Sequence, residues 1–465
     1  MCGLFFNYSK KKITISHKKY LKKIAGRYLS KRGPDGMSEK SGKKWYALHS
    51  LLSITHNKET QPIKTKDFIF LYNGEMYNDW KLYSKNYGDV DFFTKHVNNY
   101  GLKGLKTLDG EFAIILFDYK KNFLYLATDP FGTKPLHYAI KKKNNLIVTT
   151  YTHTIQDLGV KIKNISRVKP NSLLRIDLNN NFKIKKYPLI KKFNFNSIKK
   201  TTYGDFSKAF TESIKKRTQN LVDKKVFLGL SSGHDSGLIA AELNNLKIPF
   251  SAYSVFYGEV PRILNERIKI LKKNKINKLK TLKVSKNTKN SIQKFLLKNS
   301  PYVNINVDDP VHFGDGDYRK NPGFISTAHI IKTARKEGST INLCSQGADE
   351  IISDFYNEHT NSRKSCLKGD WSKATKPWKN FYGGWLAAFL HANECMGGTL
   401  GIETRFPFLD YKLIQTFLSL PNLEKAKVYK GPMTQILKKY KFPYHNYKIG
   451  FYGYKVKNIN VREKY

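Results

Sequence analysis

Hydrophobic and polar positions divide the chain into two parts with different periods. Up to about residue 190, short runs alternate or are rich in Ile, Phe, Tyr and Val. They are FIFLYNGEMY (68–77), GEFAIILFDY (110–119), NFLYLATD (122–129), NLIVTTY (145–151) and SLLRIDL (172–178). Clusters of Gly, Pro, Asn and Asp bound these runs, which predicts strands joined by turns. One helical stretch is expected among them, over about 89–105. Residues 190–200 (IKKFNFNSIKK) are polar and basic without a clear period, and read as a linker. Beyond about 203 the pattern changes. Helical segments such as DFSKAFTESIKKRTQNL (205–221) alternate with short apolar runs such as KVFLGL (225–230) and PFSAYSVF (249–256). That alternation predicts a parallel α/β sheet with helices on both faces. The expected units are 1–190, a linker over 191–202, and 203–465. The lysine-rich zone 260–300 and the polar stretch 353–380 are the hardest to read.

Composition narrows the picture. The chain has 465 residues, 40% of them hydrophobic, which is enough for real cores. No apolar run approaches the length of a membrane span. Four cysteines occur, Cys2, Cys344, Cys366 and Cys395, and none forms a CxxC pair. Zinc ribbons and disulfide scaffolds are therefore not expected, and a reducing cytoplasm fits. The formal charge is +47, but 71 of the 83 basic residues are Lys, spread over the whole chain. Sequence-reading sites favour Arg. A solvated lysine surface is the expectation, with no specific nucleic-acid partner.

Cys2 follows Met1. If Met1 is removed, cysteine becomes the first residue, and its own α-amine can serve as the base for its thiol. Downstream lie KRGPDG (31–36), LYNGEMYN (71–78), GDVD (88–91), LDGEFAIILFD (108–118) and DPFGTKPLHY (129–138). Each places glycine, proline or a small polar residue at a strand edge, where backbone N–H groups can face a site. Asn73 and Gly74 offer a side-chain amide and a backbone N–H to an oxyanion. Glu75 and Asp89 offer charge to a substrate ammonium.

In the second part, VFLGLSSGHDSGL (226–238) reads as a strand, a Ser/Gly turn and a helix, a corner suited to phosphate. An ordinary strand–turn–helix corner would look the same. CSQGADE (344–350), GIETRFPFLD (401–410) and NYKIGF (446–451) follow.

The MCG start with RGPDG, NGExYN, DGxFAxxLxD and DPxGxKPLxY resembles class II glutamine amidotransferases. The 231–236 turn resembles the SGGxDS pyrophosphate loop of ATP pyrophosphatases, with Ser232 for a glycine. CSQGADE, GIETRFPFLD and NYKIGF resemble SGEGADE, GxExRxPFLD and RxKxGF of asparagine synthetases. Over nearly its whole length the chain resembles a glutamine-hydrolysing asparagine synthetase. The resemblance implies an N-terminal αββα nucleophile sandwich and a C-terminal ATP-pyrophosphatase sheet. It implies that Cys2 attacks glutamine, that Asn73 and Gly74 hold the oxyanion, and that Arg32, Glu75 and Asp89 help hold the substrate. Leu230, Ser231, Ser232, Gly233, Asp235, Ser236 and Gly347 would bind ATP, and Asp235 and Asp349 would bind Mg²⁺. Lys448 would place charge on the phosphates. The ammonia would pass through an internal tunnel to an acyl-adenylate, most simply of aspartate, in a homodimer.

Three departures stand out. Leu51, in LHSLLSI (48–54), occupies the place of an arginine that grips the glutamine carboxylate. Gln346 replaces a glutamate expected to take a proton, which an amide does not do. Asn446 replaces the arginine of RxKxGF. Glu394 in HANECMGG (391–398) is an acid that could take over from Gln346. The acceptor is left open between aspartate and another carboxylate. A weakly catalytic regulatory relative is a further reading of these changes.

Overall fold

The computed structural model describes residues 1–54, 60–82, 87–188, 190–196, 201–219, 221, 225–256, 258–274, 276–305, 316–356 and 364–447. In the N-terminal part, two antiparallel sheets face each other. The first runs, edge to edge, Ser166–Arg167, His137–Lys141, Asn145–Thr149, Gly3–Ser9, Trp45–Leu51 and Gly36–Ser41. The second runs Lys183–Pro188, Ser172–Asp177, Phe123–Thr128, Gly110–Asp118, Phe68–Met76 and Ile63–Lys64. Strand alternation decides what each face meets. Leu4, Phe6 and Tyr8 point between the sheets to Ile69, Leu71, Ala113 and Ile115. Phe5 points the other way, toward Leu21, Ala25 and Leu29 of the helix Ile15–Arg32. On the far side, Phe70, Tyr72 and Phe112 pack on Val90, Phe93 and Val97 of the helix Asp89–Tyr100. The result is the expected αββα sandwich.

The predicted helix over 89–105 forms as Asp89–Tyr100 followed by a tighter turn, Gly101–Lys106. The expectation of a single helix in this half fails. Ile15–Arg32 is a second, longer one, capped where the Thr14 hydroxyl accepts the His17 N–H at 3.2 Å. Its narrow apolar stripe, Leu21, Ile24, Ala25 and Leu29, is diluted by exposed lysines, which hides the period.

The C-terminal sheet is parallel throughout, in the order Lys278–Leu282, Phe250–Val255, Lys225–Gly229, Ser339–Leu343, Glu403–Arg405. Val226 and Leu228 join one core and Phe227 another, so helices cover both faces. The chain builds outward from Lys225–Gly229, then crosses to Ser339–Leu343 on its other side. That reversal opens a crevice at the carboxyl ends of these two adjacent strands, the usual ligand position in such sheets. The loops 230–236 and 344–349 both leave from it.

The segment predicted as linker is not a loose spacer where it is described. Phe193 lies against Phe381 and Tyr411, with ring centres 5.2 and 4.8 Å apart, and Phe195 lies against Phe381 and Trp378. Phe131 of the first part lies against both Phe193 and Phe381, with ring centres 5.8 Å apart in each case, so aromatic packing ties the two parts together.

Candidate active site

Cys2 enters the first strand at the junction of the two sheets. Its backbone N–H donates to Asn73 Oδ1 at 2.7 Å. Asn73 is fully buried on the strand Phe68–Met76, and its Nδ2 has no hydrogen-bond partner among the described residues. An orphaned buried amide donor is costly unless a ligand satisfies it. Here it accompanies the thiol, as an oxyanion donor must. Gly74 has φ of +135°, and a Cβ there would fall 1.8 Å from the Glu111 carbonyl oxygen. Only glycine lets the two strands approach this closely. Burial pushes the Cys2 thiol up. The terminal ammonium and a hydrogen bond with the Leu52 backbone pull it down, and Glu403 and Asp89 add to the rise. Asp89 opens its helix, buried, with its carboxylate on the Val90 N–H at 3.0 Å.

Behind this pocket lies a buried network of ion pairs that joins the two parts. Arg405 pairs with Glu403 at 2.6 Å and reaches Glu75 at 2.9 Å. The Met1 ammonium donates to Glu403 Oε2 at 2.7 Å. Lys134 donates to Glu394 Oε1 at 2.8 Å and to the Thr404 carbonyl at 2.7 Å. Arg217 donates to Glu111 Oε1 at 2.8 Å. Burial alone would raise Glu403, but the terminal ammonium, Arg405 and Lys134 outweigh it and hold it below the carboxylate range. Glu75, by contrast, is raised by burial, with Arg405 opposing and Glu403 and Asp89 reinforcing. Glu75 thus faces Arg405 across the boundary.

Arg32 was expected to hold glutamine. Its guanidinium is committed elsewhere, to Glu394 Oε2 at 2.7 Å, the Cys2 carbonyl at 2.9 Å and the Tyr151 hydroxyl at 3.2 Å. Glu394 is accordingly bound by Arg32 and Lys134 at the boundary, which leaves it no free oxygen with which to replace Gln346 as a base.

At the crevice of the parallel sheet, Leu230 is buried and donates its N–H to the Tyr253 carbonyl at 2.8 Å. The turn that follows is tightly organised. Ser236 Oγ accepts the Ser231 N–H at 3.0 Å, and Ser231 Oγ accepts the Gly233 N–H at 3.1 Å. Buried Arg267 holds the turn from behind, donating to the Ser231 and Gly233 carbonyls at 2.5 and 2.8 Å. The helix His234–Asn245 starts at Gly233 without a side-chain cap, so its first N–H groups remain suited to an anion. Glu259 accepts the Ser232 N–H and hydroxyl, both at 2.5 Å. On the neighbouring loop, Gly347 sits at φ +103° and donates to Glu350 Oε2 at 2.9 Å. Gln346 donates to the other Glu350 oxygen.

Asp235 and Asp349 converge. Both carboxylates meet one ammonium, that of Lys430, which donates to Asp235 and, at 2.8 Å, to Asp349. Two carboxylates aimed at one cation suit a hard divalent ion that completes its shell with water and phosphate oxygens. Among the described residues no larger group of His, Cys, Asp or Glu gathers as a metal cage. Lys448 lies outside the described residues.

Comparison with known proteins matches the same two regions. The glutamine amidotransferase domain family matches residues 1–211, and the asparagine synthase family matches residues 205–387. A Methanocaldococcus jannaschii protein with the provisional name asparagine synthetase (glutamine-hydrolysing) 1 is 26% identical over 408 residues, covering 80% of this chain and 69% of its own. The Bos taurus glutamine-hydrolysing asparagine synthetase is 23% identical, over 84% of this chain and 73% of its own. An Acanthamoeba polyphaga mimivirus protein, also provisionally an asparagine synthetase, is 25% identical over 91% of this chain and 79% of its own.

The chain is a divergent member of the glutamine-hydrolysing asparagine synthetase family. It is a carbon–nitrogen ligase that takes its nitrogen from glutamine. Leu51, which stands where the resemblance places an arginine, is a half-buried apolar residue at the end of the strand Trp45–Leu51. Sequence reasoning missed Lys430, Glu259, Arg267, Lys134 and Glu111. Lys134 and Glu111 sit inside motifs that were noticed, DPFGTKPLHY and LDGEFAIILFD. Lys430 carries no local signal, being one lysine among 71.

Proposed function

We propose that the chain hydrolyses glutamine at Cys2 and uses the ammonia to amidate a carboxylate through an acyl-adenylate. L-aspartate is the leading acceptor, giving asparagine, AMP and pyrophosphate. Residues 1–190 would form the glutaminase unit, 191–202 the connection and 203–465 the ATP unit. One relationship carries the reading. Arg405 reaches Glu75, two residues beyond Asn73, while its backbone carbonyl accepts the Cys344 N–H at 2.9 Å. Cys344 begins the loop that ends with Asp349. A single residue thus abuts both candidate sites, as expected of one enzyme that makes a reactive amine in one place and consumes it in the other.

In this reading Met1 is removed, and the freed α-amine of Cys2 takes the thiol proton as the sulfur attacks the glutamine amide carbon and passes it to the departing ammonia. Asn73 Nδ2 and the Gly74 N–H stabilise the oxyanion, ammonia leaves, and water releases glutamate from the thioester. Asp89 supplies negative charge beside the substrate amine, while Glu75 borders the site paired with Arg405. In the second site the 231–236 turn and the helix N-terminus bind the phosphates, with Leu230 and Gly347 beside the nucleotide. Mg²⁺ held by Asp235 and Asp349 would neutralise charge on the leaving pyrophosphate. Lys448 would add to that. A homodimer and a cytoplasmic location rest on the family, with four cysteines free of disulfides in keeping with reducing surroundings.

A specific observation keeps a second acceptor in view. Gln346 stands for the family's proton-accepting glutamate, and its amide is spent on Glu350. Another carboxylate, with a different amine deprotonation, would suit that change. The test is pyrophosphate release from Mg·ATP with ammonia, comparing aspartate with a panel of carboxylates and weighing the products. Asparagine with AMP and pyrophosphate supports the first reading. Turnover only with another acid supports the second. No turnover with any acid would overturn both.

A further inference from the structure

The start of the chain is buried at the boundary between the two parts. Met1 is 1% exposed, and its side chain joins a core built mainly from the second part. Its ammonium donates to Glu403 Oε2 at 2.7 Å. Its sulfur accepts from Arg32 at 3.1 Å. Gly397 lies alongside, where a Cβ would fall 3.4 Å from Met1 Cε and 2.7 Å from Thr404 Oγ1. Thr404 Oγ1 is buried and has no hydrogen-bond partner among the described residues. Met1 therefore fills an enclosed space with polar walls, between Cys2 and the strand Glu403–Arg405.

Removal of Met1 changes this space in a definite way. Cys2 keeps its place, because its own nitrogen is held by Asn73 Oδ1 at 2.7 Å. Its amine must also be uncharged to take the thiol proton. Glu403 Oε2 then loses the cation that sits on it. Oε1 stays with Arg405 at 2.6 Å, but Arg405 is shared with Glu75. Lys134 acts on Glu403 through its field, since its ammonium is held by Glu394 and the Thr404 carbonyl. A buried carboxylate left with half its compensation takes up a cation or gives up its charge. The nearest source of a cation is the reaction at Cys2, where glutamine and water give glutamate and, at neutral pH, ammonium.

We propose that Glu403 Oε2 is a binding site for the ammonium ion, at the position marked by the Met1 ammonium. A primary ammonium is the same donor with one hydrogen replaced by carbon, so the structure already displays a group of this charge and shape there. Glu403 also lies on the way between the two candidate sites. It opens the strand whose Arg405 carbonyl accepts the Cys344 N–H at 2.9 Å, and Cys344 begins the loop that ends with Asp349. This rests on the proposed function and adds to it a place where nitrogen is held as a charged ion between its release and its use.

The test uses the full chain and radiolabelled methylammonium as the probe, followed by equilibrium dialysis. Protein that has lost Met1, checked by intact mass, is expected to bind the probe and to release it to added ammonium. Protein made with methionine aminopeptidase inhibited keeps Met1, whose own ammonium fills the position. It is expected to bind the probe at least about tenfold more weakly. Glu403→Gln in the processed chain should weaken binding by at least the same factor. Asp89→Asn should retain binding, since Asp89 serves the substrate amine. Equal binding with and without Met1 would overturn the proposal. So would no binding to the processed protein, or binding that depends on Asp89 and not on Glu403. Retention of Met1 in protein made with the aminopeptidase active would overturn it as well, because the position would then be filled. If Glu403→Gln does not fold, the comparison with and without Met1 decides, since it alters no other side chain. The readout is binding, so failure to amidate any carboxylate is a separate result. It would count against the proposed function and leave the binding comparison unchanged.

Discussion

Glu75 and Arg405 stand 2.9 Å apart, one from each half of the chain. Neither is more than marginally exposed, and Arg405 also pairs with Glu403, which holds the Met1 ammonium. Three charges and the chain terminus thus share a water-poor boundary. Removing one member leaves the others uncompensated, which typically costs about 3–5 kcal/mol. Arg405→Met is expected to destabilise the protein by that order, read as a lowered denaturant midpoint. Glu75→Gln together with Arg405→Met should cost less than the sum of the two single changes. Additive costs would show that the pair does not couple.

Asn73 is the residue whose amide both positions Cys2 and carries the orphaned donor. Asn73→Ala is expected to lower glutaminase kcat by roughly a hundred- to a thousandfold, the usual effect of losing one oxyanion donor. Ammonia-driven pyrophosphate release should be unaffected. Parallel assays of glutamate and pyrophosphate separate the two.

Cys2→Ala should abolish amidation driven by glutamine and leave amidation driven by ammonia. Asp235→Asn should stop pyrophosphate release with either nitrogen source. Equal loss of both activities in Cys2→Ala would mean that the two candidate sites are not separate.

His49 lies opposite Leu4 in the first sheet, fully buried, and neither ring nitrogen has a partner among the described residues. Burial, helped by the nearby terminal ammonium, lowers its pKa from 6.5 to about 3. The unfolded imidazole takes up a proton below about 6.5, while the folded one stays neutral down to about 3. Stability is therefore fully present above 6.5 and falls as the pH drops through that window, by up to about 1.4 kcal/mol per pH unit. His49→Phe should flatten this part of a stability-versus-pH curve measured by urea unfolding. An unchanged slope would show that the acid sensitivity arises elsewhere.

The strands were legible because their alternation is strong. FIFLYNGEMY and GEFAIILFDY bury one face between the sheets and the other against a helix, and both fell where the pattern predicted. Ile15–Arg32 was not legible, since a narrow apolar stripe among lysines resembles solvated coil until the sheet that covers it is known. The residues of the two candidate sites were named from local motifs, whose glycines and small polar side chains reflect backbone constraints within a few positions. Gly74 is one example, required by the approach of the Glu111 carbonyl.

Contacts between distant segments left no such trace. Nothing near Lys430 in the chain announces Asp235 or Asp349, which lie 195 and 81 positions away. Arg32 and Glu394 are 362 positions apart. The sequence by itself determined the periodicities, the turns and the positions of the candidate nucleophile and carboxylates, because these depend on residue type and short spacing. Only the tertiary structure decided which charges face one another. Ion pairing acts through space, and the desolvation that gives it force exists only once the two parts have closed over it.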